Sequence, residues 1–292
     1  MVEQKKSSGD FRVFCFIITI CFVCSAVLSI LTQVLQPKQE RSKKLYQSKQ
    51  MLLAAHVLGY DGYFLLPAAD KKFVHGIYDK KTELIIPTHK KYPPKPTSDD
   101  ILQVYERRIQ LRFVDKNGTL LPKGETINPE KQEIKPIYLI AANNNNSDSP
   151  PYGFVIPITG QGLWGPITGY LSIGADGNHV LGTTWYDQAE TPGLGGNISL
   201  PEWQKQFYGK EIFPVDDKGN IIPGAPIGIN VVKTMVQNEL ANSPKATNAV
   251  DGIPGASVTV TGVIKAYRNS LAFYQPFFTQ IQKTYLEKNH NE

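Results

Sequence analysis

Residues 13–35 read VFCFIITICFVCSAVLSILTQVL, 23 consecutive positions without a charged side chain. At about 1.5 Å of helical rise per residue, this run crosses a hydrocarbon core of roughly 30 Å as a single helix. A cleaved signal peptide is the competing reading, because Lys5, Lys6 and Arg12 precede the apolar stretch. The run is longer than a signal-peptide core, and no convincing small-residue cleavage site follows Leu31, which favours a retained anchor. No ionisable residue lies inside the span, so an ion path through this one helix is not expected.

Downstream, the composition is that of a packed globular body: 41% of the 292 residues are hydrophobic and 20% charged. Residues 38–58 form a helical pattern leaving the membrane, with an apolar stripe at Leu45, Met51, Leu52 and Leu53. From about 60 to 140 the chain breaks into short β-like runs such as 82–86 and 109–114, punctuated by Lys-Asn-Gly and Pro-Pro turns. A polar loop at 143–151 leads to strand candidates at 152–159, 168–174 and 179–186, each bounded by glycine. Residues 199–208 suit a short helix packed through Trp203 and Phe207, and 262–288 a longer one broken at Pro276. Strands and helices mix without regular alternation, so the expected class is α+β. The expected segments are 1–37 with the transmembrane helix, 38–150 as a membrane-proximal β-rich part, and 151–292 as the site-bearing domain.

Several functions are disfavoured at once. Cys15, Cys21 and Cys24 all lie in the apolar span, so the soluble part has no thiol, disulfide or iron–sulfur chemistry. The five histidines (His56, His75, His89, His179, His290) lack ligand spacing, and no metal centre is expected. A formal net charge of +5, dispersed over pairs such as Lys71-Lys72 and Lys80-Lys81, is too slight for nucleic-acid binding. No Gly-x-Gly-x-x-Gly following a strand marks a dinucleotide site.

The stretch with most chemistry is 251–261, Asp-Gly-Ile-Pro-Gly-Ala-Ser-Val-Thr-Val-Thr. Two glycines and three hydroxyls ahead of a helical segment suit a phosphate, which amides at a helix N-terminus favour. Ser257, Thr259 and Thr261 also fit ordinary cap residues or one face of a strand, since they alternate with period two. Upstream stand Gly-Leu-Trp-Gly at 162–165 and Glu-Thr-Pro-Gly-Leu-Gly at 190–195.

In this order, with Trp203, Phe207, Val231-Val232-Lys233 and Asp251 to Ser257, these motifs resemble the FMN-binding domain family over roughly residues 155–270. Within it, the chain is most similar to the C subunits of sodium-translocating NADH:quinone oxidoreductases. The resemblance implies FMN held covalently by a phosphoester to a hydroxyl residue after Gly-Ala. Here Asp251 takes the motif Asp, and Ser257 the place of the usual Thr. Pro254 stands where the family has a hydroxyl residue, and Thr259 two residues on is a second candidate acceptor. A separate flavin transferase acting outside the cytoplasm would make the attachment.

The same resemblance implies that Glu190 and Thr191 contact the flavin's polar edges. Gly193, Leu194, Gly195, Gly255 and Ala256 would allow close backbone approach, and Leu163 and Trp164 would wall the ring. Trp164 read alone also fits a core aromatic, and Lys233 fits either a cation near the flavin or a surface lysine. Asp187 and Gln188 occur where relatives often have a histidine. No catalytic residue is assigned. The implied function is electron carriage between NADH and quinone in a sodium-pumping complex, with NADH bound by another subunit. The Rnf-type flavoprotein is the rival within the family, and a membrane-anchored assembly module without redox role is the rival outside it.

Orientation pits two signals against each other. Three basic residues precede the span and five follow it (Lys38, Arg41, Lys43, Lys44, Lys49), a count favouring a cytoplasmic domain. Long domains translocate regardless of such counts, and the family resemblance implies the periplasmic face of a bacterial inner membrane.

Overall fold

The computed structural model describes residues 8–68, 73–88, 90, 93–122, 133–144, 146 and 149–290, so His89 and the Lys71-Lys72 pair lie outside the described residues. The chain divides into two compact units, the first ending at Gln47 and the second running Ser48–Glu292. Helix α1, Ser8–Ala54, begins in the first and ends in the second. It replaces the expected pair of helices, because Pro37 lies inside it without interrupting it. Gln36 Nε2 donates to Glu40 Oε1 at 2.9 Å across that position.

Within the first unit, Phe14, Phe16, Phe22, Leu28 and Ile30 are exposed on all sides of α1. Such a surface needs an apolar surround to cover it. The hydroxyls of Thr19, Ser25 and Thr32 donate to the carbonyls of Cys15, Cys21 and Leu28 at 2.7–2.8 Å. Side-chain polarity is thereby satisfied inside the helix, as a hydrocarbon surround requires.

The second unit holds two antiparallel sheets. β1 (Phe64–Pro67), β2 (Phe73–Asp79) and β3 (Leu84–Pro87) form a three-stranded meander. Helix α2, Ser98–Arg108, follows in a region where only β-like runs were expected. Its signal was in the sequence: Thr97 Oγ1 accepts from the Asp100 amide at 3.2 Å, and Asp100 Oδ2 from the Thr97 amide at 2.9 Å, a capping box. Then β4 (Ile109–Asp115), β5 (Ile134–Ile140), β6 (Gly153–Gln161), β7 (Pro166–Gly174) and β8 (Val180–Asp187) make a five-stranded meander in sequence order. The last three fall close to their expected positions. Residue 150 lies in the loop between the paired strands β5 and β6, so strands from either side of it share one sheet.

After β8, the expected helix at 199–208 is instead a 3-10 turn at Gly195–Ser199, a four-residue α3 (Pro201–Gln204) and a second 3-10 turn at Lys205–Phe207. Trp203 and Phe207 are buried as expected, their rings 4.9 Å apart. Short β9 (Asn230–Val231) and β10 (Ala249–Val250) pair in parallel, with α4 (Val236–Glu239) between them in sequence.

Helix α5, Ser257–His290, closes the fold against the large sheet. It starts five residues before the expected Gly262, so the Ser257–Thr261 alternation is helical and not a strand. Nor does Pro276 break it. An interior proline costs about 3 kcal/mol. Tyr274, Phe277 and Phe278 around it are buried against residues such as Phe154, and each such side chain is worth roughly 1.5–3 kcal/mol. Burial therefore outweighs the lost hydrogen bond. Further along the core, Tyr267 Oη accepts from Trp185 Nε1 at 3.2 Å and bonds Thr183 Oγ1 at 2.9 Å, fixing α5 on β8.

Candidate functional site

Three turns converge at the start of α5. The first is the β6–β7 hairpin loop, Gly162–Gly165, closed by the Gly162 amide on the Gly165 carbonyl at 2.8 Å. The second is Thr191–Leu194, where the Leu194 amide donates to Thr191 O at 3.1 Å, with Pro192 and Gly193 at the central positions and Gly193 at φ +79. The third is Ile253–Ala256, where the Ala256 amide donates to Ile253 O at 3.1 Å around Pro254 and Gly255, with Gly255 at φ +74. Pro followed by a positive-φ Gly is the type II pattern in both. Pro254 thus has a conformational reason to stand where the family has a hydroxyl residue, because its ring presets the turn.

Between these turns lies a cleft of about 190 Å³ lined by Leu163, Glu190, Thr191, Leu194, Gly195, Gly255, Ala256, Ser257, Val258 and Thr259. Its floor is tight. A Cβ on Gly195 would run into Thr259 Oγ1 and stand 2.6 Å from Glu190 Oε2, and one on Gly255 would stand 2.9 Å from Leu194 Cδ2. The rim is apolar and open: Leu163 is 53% exposed, Leu194 43% and Val258 56%.

Glu190 does not point outward. It is 5% exposed, and its carboxylate accepts from the Trp164 amide at 2.9 Å, the Leu163 amide and Thr259 Oγ1. Burial alone would push this carboxyl up, but the three donors outweigh it and hold it below its ordinary value. Gln188 Oε1 in turn accepts from the Glu190 amide at 2.6 Å. Glu190 thus ties the hairpin loop to the first turn of α5. Thr191 Oγ1 accepts from Trp164 Nε1 at 3.0 Å, which ties the exposed indole to a residue that lines the cleft.

Ser257 and Thr259 have different surroundings. Thr259 is 2% exposed and its hydroxyl is spent on Glu190, whereas Ser257 is exposed. The Val260 amide makes the first helical bond to Ala256 O at 2.9 Å, so Ala256 is the N-cap. Alanine has no side-chain acceptor to offer, and among the described residues no side chain caps the amides of Ser257, Val258 and Thr259 at the helix's positive end.

Four expected site residues are outside this lining: Trp164 and Gly193, which neighbour lining residues in sequence, and Asp251 and Lys233. Asp251 Oδ1 accepts from the Val236 amide at 2.7 Å, its amide donates to Gln206 Oε1 at 3.0 Å and its carbonyl accepts from Trp203 Nε1 at 2.9 Å. It braces the loop from behind. Lys233 is exposed outside the lining, with its amide on Glu239. Val258 was missed by sequence reasoning, since period-two reading turned it inward; as the second residue of a helix it faces the cleft mouth. Gln188 was seen only as a substitution, and nothing in sequence announces its bond to Glu190.

These features fit FMN. An anion at uncapped helix amides is stabilised without further charges. The cleft is below the roughly 300–1,000 Å³ of a pocket that engulfs a ligand, so Leu163, Leu194 and Val258 on its apolar rim would help hold the flavin.

Similarity to known proteins points the same way. Residues 162–272 match the model of the FMN-binding domain. The chain is 39% identical to the C subunit of Na(+)-translocating NADH-quinone reductase from Chlamydia pneumoniae, covering 95% of this chain and 94% of the relative. Against the protein of that name from Yersinia pestis the identity is 28%, over 94% and 92%. The crystal structure of Shewanella oneidensis NqrC shares the fold, with a TM-score of 0.50 at 22% identity over 64% of this chain and 90% of that one. With similarity spanning nearly the whole of both chains, this chain belongs to the family of Na(+)-translocating NADH-quinone reductase C subunits.

Proposed function

We propose that this chain is the electron-carrying flavoprotein subunit of a membrane complex that oxidises NADH, reduces quinone and moves sodium ions, with FMN joined to Ser257 through a phosphoester. The observation that carries the site is the contrast between Ser257 and Thr259: one hydroxyl is exposed at the N-terminus of a 34-residue helix, the other is buried on Glu190. In the ester, Ser257 Oγ is bonded to phosphorus and has lost its proton. The amides of Val258 and Thr259 would be the donors nearest to hand for the phosphate oxygens, and the end of α5 would supply favourable charge.

FMN brings reversible one- and two-electron transfer, and the protein supplies attachment, orientation and electrostatics. Leu163, Trp164, Leu194 and Val258 offer the ring an apolar bed. Thr191 and Gly195 line the cleft and would contact the flavin's polar groups. Glu190 acts indirectly, by fixing the hairpin loop and the helix start in one geometry. Asp251 holds the attachment loop, and Lys233 contributes at most a distant positive charge.

The relatives matched over 94% of their length are quinone-reductase subunits, which favours that complex over the Rnf-type alternative. The helix Phe11–Ala54 is long and apolar enough to cross a membrane once. We place the soluble unit on the periplasmic face, where a flavin transferase reaches Ser257 and other subunits of the complex are the electron partners. In-gel flavin fluorescence tests the attachment. The wild-type band should fluoresce after denaturation and the Ser257→Ala band should not; a dark wild-type band, from cells with an active transferase, would remove the covalent reading.

A further inference from the structure

Outside the flavin cleft, at the end of α2, Arg108 occupies a position an apolar residue would fill. It shares the buried face of α2 with Ile101 and Val104 and is only 5% exposed. A guanidinium has five N–H donors. Here Nε donates to Ala141 O at 2.7 Å, while NH1 is shut from solvent and has no acceptor. Among the described residues no carboxylate pairs with it. Its titratable neighbours are the Tyr152 phenol and Arg107, which is itself bound to Glu83 at 2.7 Å. Burial pulls the guanidinium down to about 10, the direction expected of a cation lacking a counter-ion. The C-terminus of α2 offers partial negative charge, but not an acceptor for a fork of N–H groups.

Arg108 lines a cavity of about 510 Å³, within the range of small-molecule sites. Its other walls include Leu66, Pro67, Val74, Pro87 and Tyr152. Asn143 also borders it, but its amide is committed to the Ile85 backbone at 2.7 and 3.1 Å. Among the described residues lining the cavity, Arg108 is the one charged group. A single buried cation against apolar walls matches a monoanion with an apolar body better than a phosphate, whose second charge would want a second cation.

We propose that this cavity binds a small amphipathic carboxylate, its head accepting from the Arg108 guanidinium and its body lying against Leu66, Pro67, Val74 and Pro87. The site is separate from the flavin cleft and does not depend on how FMN is held. A bound carboxylate supplies the counter-charge that the described residues leave out, and explains why a core-facing helix position carries an arginine.

The test uses the full flavinylated chain in lipid nanodiscs, with carboxyl-labelled octanoate as probe, octanamide as its neutral isostere and empty nanodiscs as the blank. Saturable octanoate binding above the blank is expected, with octanamide at least tenfold weaker. Arg108→Met should weaken octanoate binding tenfold or more, and Val74→Trp, which fills the cavity from an exposed strand position, should do the same. Flavin content should be unchanged in both. Octanoate should also raise the melting temperature of the wild type in a concentration-dependent way, but not that of Arg108→Met. Equal binding of octanoate and octanamide, undiminished binding by both variants, or no saturable binding above the blank would each overturn the proposal.

Discussion

Thr259 and Glu190, 69 residues apart, are joined by a hydrogen bond from Thr259 Oγ1 to the carboxylate, and this bond ties the first turn of α5 to the Glu-Thr-Pro-Gly loop. It withdraws Thr259 from chemistry and leaves Ser257 exposed. Replacing Thr259 with Val removes one donor from a buried carboxylate, a loss of about 1.5–3 kcal/mol for a bond to a charged group. For a chain of this size the melting temperature should fall by roughly 3–10 °C. Covalent flavin should be retained.

The same carboxylate gives a pH signature. Burial would raise the Glu190 carboxyl, yet the Thr259, Trp164 and Leu163 donors hold it below its ordinary 4.5 when folded. A depressed folded value stabilises above the unfolded one, and the benefit is lost as pH falls below 4.5 through the folded value. Wild type should therefore lose melting temperature in that window by more than Glu190→Gln does. Parallel profiles for the two proteins between pH 6 and pH 3 would show that Glu190 is not held in its charged form.

Trp164 donates its indole N–H to Thr191, a residue that lines the cleft. Thr191→Val breaks a bond worth roughly 0.5–1.5 kcal/mol and frees the ring to move. Flavin content should stay at the wild-type level. If Trp164 walls the flavin, its potential should shift by no more than a few tens of millivolts, since about 30 mV corresponds to 1.4 kcal/mol for a two-electron couple. NADH-to-quinone turnover in the assembled complex should fall. Unchanged potential and turnover would mean that this loop serves the fold and not the flavin.

Much of the fold was legible in the sequence, and the misses have physical causes. The uncharged run 13–35 and the glycine-bounded strands β6 to β8 are local signals, and they were readable. Helix α2 was missed because its capping box, Thr97 to Asp100, sits in a polar, proline-rich stretch. The start of α5 was misread because Ser257 to Thr261 alternates like a strand, while a helix places Ser257 and Val258 outward and Thr259 inward. Pro276 was overvalued as a breaker because the burial of its aromatic neighbours is a tertiary effect. At the site, both Pro-Gly turns carry their geometry in two residues. The inward carboxylate of Glu190 and the outlying Lys233 depend on contacts made across many residues, which one sequence does not display.

The anchor makes its own prediction. A retained span keeps the chain in the membrane pellet after alkaline carbonate, and a periplasmic soluble unit is digested when protease is added to spheroplasts. A soluble chain beginning after residue 35 would support cleavage. Protection from protease in the pellet would support the charge count and a cytoplasmic domain.

The most direct test of the central claim is peptide mass spectrometry of protein made alongside an active flavin transferase. The peptide containing Asp251 to Thr261 should carry one FMN less water, with fragment ions assigning it to Ser257. The adduct should vanish in Ser257→Ala and persist in Ser257→Thr and Thr259→Val. An adduct that survives in Ser257→Ala, or maps to Thr259, would contradict the account.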